Sequence, residues 1–219
     1  MFVIMREIFV TLNFLLITNF YAQKIDTVRL TSGTWISGVE GGISNNKTLA
    51  PGGTDMEQSV DYVFNFNSGL FVSNRIALGL NAKLTKSGET RTTYKLSREE
   101  FYLGPWARYY IPVQHNWYLY PELGVSFVNY YSETRNDNQV DNSMISAQGF
   151  GVNPGIGLVY FVSKSAAFSI RWNYQWSSVS GKYEEVSINS TVSQPIKNYQ
   201  YGKSSLFFGF QLYIDDFFF

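Results

Sequence analysis

An acyl-transfer or hydrolytic site would need a serine, threonine, lysine or acidic nucleophile held beside a base, most often histidine. The chain offers a single histidine, His115, and no cysteine at all. His115 sits in Pro112-Val-Gln-His-Asn116, a short polar break between two apolar-alternating stretches, and reads as an exposed turn residue. Without cysteine there is no thiolate metal site and no disulfide framework. The 18 glycines follow strand spacing and form no phosphate-cradling loop. The expectation is therefore no catalytic residue, no metal, no cofactor and no enzyme.

Charge placement says more. Glu40, Asp61, Lys83, Arg108, Glu122 and Arg171 each fall on the small or polar face of a different alternating segment, three acids against three bases. If that face points into an enclosed space, the charges must pair, because an isolated buried charge costs several kcal/mol. The reading is a salt-bridged interior network in which Glu122 pairs with Arg108 or Arg171. A proton or ion path is the alternative. Overall, 17 basic and 17 acidic residues cancel, so no global field would draw the chain to nucleic acid.

The elements that carry these charges repeat every two residues. From Ala166 to Trp176, Ala166, Phe168, Ile170, Trp172, Tyr174 and Trp176 alternate with Ala167, Ser169, Arg171, Asn173 and Gln175. That is the period of a strand with two unlike faces. Extended along the chain, it gives eight segments near 34–44, 57–72, 75–86, 93–111, 116–131, 145–161, 166–178 and 198–214. Tight links at Val72–Arg75, Pro112–Asn116 and Val162–Ser165 alternate with longer ones at Asn45–Met56, Lys86–Arg91, Ser132–Ser143 and Val179–Lys197. An even strand count with short turns at one end and long loops at the other is the asymmetry of an outer-membrane barrel.

Which face is wet decides between a soluble and a membrane barrel. Glycine gathers on the polar face (Gly149, Gly151, Gly155 and Gly157 on one segment), whereas Phe150, Val152, Ile156, Leu158 and Tyr160 share the other. Small residues suit the narrow inside of eight strands, and a bulky uncharged outer face suits hydrocarbon. The prediction is all-β: an eight-stranded antiparallel up-and-down transmembrane barrel. Aromatics make up 18% of the chain, and two interfacial belts would house them. Tyr109, Trp117 and Tyr160 are assigned near the short turns, and Tyr62, Tyr130, Tyr174 and Trp176 toward the long loops. Pro105, Pro121 and Pro154 oppose this reading, since proline removes a ladder donor; bulges would accommodate them.

The ends read as export signals. Arg6, an apolar run from Ile8 to about Phe20, and Tyr21-Ala22-Gln23 form a secretory signal peptide over residues 1–23. A short periplasmic segment, 24–33, and the barrel domain, 34–219, follow. Both mature termini are expected in the periplasm. The terminal Phe219, after an amphipathic strand, is read as the signal for the outer-membrane assembly machinery.

Three stretches carry a family resemblance: Leu103-Gly-Pro-Trp-Ala-Arg-Tyr-Tyr-Ile-Pro112, Trp117-Tyr-Leu-Tyr-Pro-Glu-Leu-Gly-Val125, and Phe150-Gly-Val-Asn-Pro-Gly-Ile-Gly-Leu-Val-Tyr-Phe161 with Val162-Ser-Lys-Ser165. They resemble the outer-membrane β-barrel domain proteins of Bacteroidetes, akin to OmpA- and OmpX-like barrels. The resemblance implies an eight-stranded outer-membrane barrel and carries no catalytic signature. The functional expectation is a monomeric structural or surface-interaction scaffold with a closed polar interior, outer-membrane lipid around it, and any extracellular ligand on the long loops. A lipid-modifying deacylase or acyltransferase, and a narrow pore, stand as alternatives.

Overall fold

The computed structural model describes residues 30–49, 56–90, 94–136, 142–187 and 190–215, so the segment 1–23 expected to be a signal peptide and the expected assembly signal Phe219 lie outside the described residues. Nine strands follow one another: β1 (Trp35–Leu49), β2 (Met56–Ser73), β3 (Ile76–Thr90), β4 (Tyr94–Tyr109), β5 (Ile111–Gln114), β6 (Trp117–Asn136), β7 (Asn142–Phe161), β8 (Ala166–Ser187) and β9 (Ser190–Ile214). Each pairs antiparallel with its neighbour, β9 returns to β1, and β4 pairs with β6, so the sheet closes. The short β5 continues β4 beyond Tyr110 and pairs with the same strand, β6. The wall is therefore an eight-stranded up-and-down barrel.

Alternation sorts the side chains, and it sorts them inside out relative to a water-soluble barrel. On β8, Phe168, Ile170, Trp172, Tyr174 and Trp176 are exposed, while Ser169, Arg171, Asn173 and Gln175 are buried. β9 repeats this, with Phe208, Phe210, Leu212 and Ile214 outside and Ser205, Phe207, Gln211 and Tyr213 inside. The outward apolar run on β8 is nine residues long, from Phe168 to Trp176, the length a tilted strand needs to cross hydrocarbon.

Parity also corrects one expectation. Tyr130 does not face outward: it is 3% exposed and packs inside against Tyr199 and Tyr201. Trp117, Phe127 and Tyr131 are the outward rings of β6, and an odd-numbered outer face on that strand sends every even position into the lumen.

The three prolines are accommodated without bulges. Between β4 and β6 the ladder lapses from Leu103↔Phe127 to Trp106↔Gly124, leaving Pro105 unpaired on that side while the register is unchanged. Between β7 and β8 it lapses from Val152↔Trp176 to Gly155↔Asn173, around Pro154. Pro121 faces the lapse between Arg108↔Glu122 and Ile111↔Leu119 that separates β4 from β5. Each proline turns its missing N–H toward a strand with which it forms no ladder pair, and keeps its other neighbour.

The rim with short turns is packed with rings. Phe71, Tyr110, Tyr120, Phe161 and Tyr213 are fully or almost fully buried there, joined by Ile36 and Leu30. The backbone of Leu30–Thr34 is tied across this rim by Gly33 N–H to Phe71 O at 2.9 Å and by Thr34 Oγ1 to Asp215 Oδ1 at 2.9 Å. Just inside, the indole of Trp106 lies flat over Gly69 and Gly79. A Cβ on Gly79 would come within 2.5 Å of Trp106 Cζ2 and 2.7 Å of Gly69 Cα. Gly79→Val is expected to cost about 1–3 kcal/mol by overpacking, read as a lower urea midpoint with unchanged slope.

At the opposite rim the strands run on where the sequence reads as loop. The stretch Val179–Lys197 is mostly β-structure, with β8 reaching Ser187 and β9 beginning at Ser190. Both faces are polar there, so no period of two marks it, but the backbone ladder continues.

Candidate functional site

Two regions could act: the charged lumen and the tall rim. In the lumen, Glu40, Asp61, Lys83, Arg108, Glu122 and Arg171 all point inward and are at most 8% exposed. Four of them form one chain of alternating sign. Arg171, on β8, donates through Nη2 to Glu40 Oε2 on β1 and through Nη1 to Glu122 Oε1 on β6 at 2.5 Å. Arg108, on β4, donates through Nε to Glu122 Oε2. Asn65 Nδ2 donates to Glu40 Oε2 at 2.9 Å. The chain crosses the lumen from β1 to β4, two strands that are three apart around the wall. Rings sheath it: the Arg108 guanidinium lies 4.4 Å from the Trp106 centroid and 4.8 Å from that of Tyr120, and Arg171 lies 4.4 Å from Phe207. Stacking on rings suits a weakly hydrated planar cation.

A second cluster sits nearer the tall rim, and sequence reasoning missed half of it. Lys203, on β9, donates to Asp61 Oδ2 at 2.9 Å and forms an ion pair with Glu100, Nζ standing 2.6 Å from Oε1. Tyr102 donates its hydroxyl proton to Glu100 Oε2. Lys83 donates to Gln175 Oε1, and its Nζ stands 4.0 Å from the Tyr102 centroid. Glu100 and Lys203 share parity with Arg108 and Phe207 on their own strands, which is the signal that identifies them. Tyr102, Tyr130, Val128, Val179 and Tyr201 form a second group of buried apolar side chains around this cluster. The lumen thus holds rings at the short-turn rim, then ion pairs, then ion pairs interleaved with rings toward the tall rim.

Apart from Tyr130, the rings predicted for two bands are exposed toward the two ends of the wall, with Phe66, Phe168, Phe208 and Phe210 outward between them. At the short-turn rim Trp117 and Tyr160 stack at 4.6 Å, and Tyr109 is exposed nearby. Toward the tall rim Tyr62, Tyr174 and Trp176 are exposed, and Trp172 Nε1 donates to Ser204 Oγ at 2.8 Å. His115 is exposed in the turn between β5 and β6, where its φ of 21° is positive.

Past these bands the wall opens. β9 pairs with β1 only from Gly202 onward, and β2 pairs with β3 only up to Tyr62↔Lys86. Beyond those points the ends of β3, β4, β6, β7, β8 and β9 form one six-stranded sheet, separate among the described residues from the β1–β2 hairpin. On β8 it rises ten residues past Ser177, about 33 Å along the strand. Its edge strand, Ser190–Gln200, carries Pro195 and Lys197, residue types that discourage indiscriminate edge pairing.

No protein-family description matches the chain, and no curated protein matches it. Solved structures do share its fold. Ail, the attachment invasion locus protein of Yersinia pestis, is 11% identical over 84% of this chain and 100% of its own, with a TM-score of 0.55. The outer membrane protein OprG from Pseudomonas aeruginosa is 13% identical over 87% of this chain and 100% of its own, with a TM-score of 0.56. A major outer membrane protein from Thermus thermophilus is 11% identical over 82% of this chain and 99% of its own, with a TM-score of 0.58. The fold of this chain is that of outer-membrane β-barrel proteins.

Proposed function

We propose that the chain is an outer-membrane protein whose eight wall strands cross the bilayer, whose lumen is closed, and whose tall rim stands outside the cell as a surface for interaction. The observation that carries this reading is the union of a filled interior with a six-stranded sheet rising far past the apolar belt. A channel has no use for a lumen layered with rings and ion pairs, and a mere anchor has no use for the sheet. Both mature termini then lie in the periplasm, beside the short turns. Ail, a protein of the same fold, bears the name of an attachment protein, which favours surface interaction. The residue stretches quoted above favour, within that class, a barrel of the OmpA- and OmpX-like kind found in Bacteroidetes.

The absence of cysteine from the sequence makes orientation directly testable. Ser193→Cys, on the exposed tip of the sheet, is expected to react on intact cells with a maleimide too large to cross the outer membrane. Ser163→Cys, in the exposed turn before β8, is expected to react only after that membrane is permeabilised. The reverse labelling pattern would overturn the orientation. Closure is read separately in planar bilayers, where no discrete conductance steps are expected from the purified barrel. Replacing Lys182–Ile196 by a tight turn is expected to abolish surface contacts while heat-modifiable gel migration persists.

A further inference from the structure

We propose that the lumen binds a resident cluster of water molecules against β2, β1, β9 and β8, hydrogen-bonded to Asn67, Gln211, Ser169 and the second carboxylate oxygen of Glu40. The inference rests on the closed lumen of the reading above.

Two glycines make the room. Asn67, Gly38 and Gln211 lie in one row across the ladder, and Glu40, Gly209 and Ser169 lie in the next inward row. Facing residues on neighbouring strands stand about 4.5–5.5 Å apart, so four polar heads surround two positions that carry no side chain. The heads converge on those positions. A Cβ on Gly38 would meet Asn67 Oδ1 at 2.9 Å and Gln211 Cγ at 3.1 Å, and one on Gly209 would meet Glu40 Cγ at 2.5 Å. Toward the short-turn rim the next inward residues of β1 and β9 are Ile36 and Tyr213, both buried in the ring layer.

The polar atoms of this group are unmatched. Asn67, Gln211 and Glu40 are fully buried and Ser169 is nearly so. Gln211 Oε1 accepts from the Tyr213 hydroxyl at 2.7 Å, which turns Nε2 to the other side, where no described residue accepts from it. Glu40 Oε2 accepts from both Arg171 and Asn65, whereas Oε1 accepts from no described residue. Asn67 Oδ1, Asn67 Nδ2 and Ser169 Oγ likewise lack a protein partner among the described residues. Buried polar atoms are almost always paired with protein or with ordered water.

The chemistry of the group selects its ligand. Two amide nitrogens donate, two oxygens accept and a hydroxyl does either, so the ligand must both donate and accept. It must also be neutral. The chain Glu40–Arg171–Glu122–Arg108 already balances two acids against two bases, so an added anion would face Glu40 and an added cation Arg171. Finally it must be small, because a single methyl at either glycine would already touch the surrounding side chains. Water meets all three demands. A buried water makes about three hydrogen bonds, so the five unmatched atoms call for about two molecules that also bond to each other.

The test follows magnetisation transfer from water to the side-chain amide protons of Asn67 and Gln211, by NMR on isotope-labelled barrel refolded in deuterated detergent. Water held for longer than nanoseconds gives laboratory-frame and rotating-frame effects of opposite sign, and that is the expected result. Ser169→Ala and Tyr213→Phe remove the neighbouring hydroxyls, and transfer to Asn67 is expected to persist in both, which excludes relay through an exchanging hydroxyl. Gly38→Ala is expected to abolish transfer to both amides. Should that variant fail to fold, Asn67→Leu is expected to abolish transfer to Gln211. Absence of transfer in the unaltered barrel, its loss in the two hydroxyl variants, or its survival in Gly38→Ala or Asn67→Leu would overturn the proposal and leave the closed lumen standing. Effects of like sign would mean water exchanging freely with bulk, which overturns the resident cluster and the closed lumen together.

Discussion

Glu122→Ala is expected to destabilise the barrel by about 3–5 kcal/mol, the cost of stranding a buried charge whose partner has been removed. Here one carboxylate serves two guanidinium groups, Arg108 and Arg171, whose side chains are 1% and 2% exposed. Without Glu122, Arg108 is left with its ring contacts and Arg171 retains only Glu40 as an ion-pair partner. Glu122→Gln, which keeps shape and acceptor but removes the charge, should fall between the parent and alanine. Replacing the triad together, Glu122→Leu with Arg108→Met and Arg171→Leu, should recover most of the loss, because apolar packing often equals or exceeds a buried ion pair. The measurement is a urea titration of tryptophan fluorescence in lipid vesicles, using the five native tryptophans. A loss below about 1 kcal/mol, the range of solvated pairs, would mean that water reaches the arginines and that the lumen is not sealed around them.

Leu80→Arg carries the second large effect. Leu80 is 60% exposed and sits midway along the outward face of β3, between Ile76 and Leu84. In a water-soluble barrel an exposed leucine could be replaced by arginine within about ±0.5 kcal/mol. At the bilayer midplane the same change costs about 2–4 kcal/mol, falling to about 0–1 kcal/mol near the interfaces. Gln148→Arg, at the belt's upper edge, is the matched control. A flat profile between the two positions would remove the membrane from the description of this face.

How much of this was legible follows from what alternation can and cannot encode. It works wherever one face is bulky and the other small, which is why Ala166–Trp176 and Leu206–Ile214 are unmistakable as strands. It fails past the belt, where Ser180, Lys182 and Glu184 continue the outward parity of Trp176 and Gly181 and Tyr183 the inward one, but exposure no longer separates the two sets. Both sides are polar or mixed, and only backbone pairing with β7 and β9 reveals the strand. Tyr130 shows the opposite weakness: residue type alone suggests an interfacial ring, yet parity with Val128 and Ser132 sends it inward. Glu100 and Lys203 obey the same parity, but Glu100 stands in the run Arg98-Glu99-Glu100, where charge falls on both faces and alternation gives no direction. The ladder lapses at Pro105, Pro121 and Pro154 depend on which neighbour each N–H would face, a pairing fact that no local pattern contains.

The ion chain also bears on how the barrel is built. Glu40 and Arg171 are 131 residues apart in sequence, and Arg171 and Glu122 are 49 apart. The β4–β6 hairpin can pair Glu122 with Arg108, but Glu40 has no cation until β8 brings Arg171, so a partly assembled sheet carries unmatched charge until the last strands arrive and β9 meets β1. Such distant pairing makes folding slow and closure abrupt. It also proofreads. A one-residue slip of any strand exchanges its two faces, which would carry Glu40, Glu122, Arg108 or Arg171 into hydrocarbon and break the chain at once. Only the native register passes both tests, so these four side chains select the alignment of the whole wall.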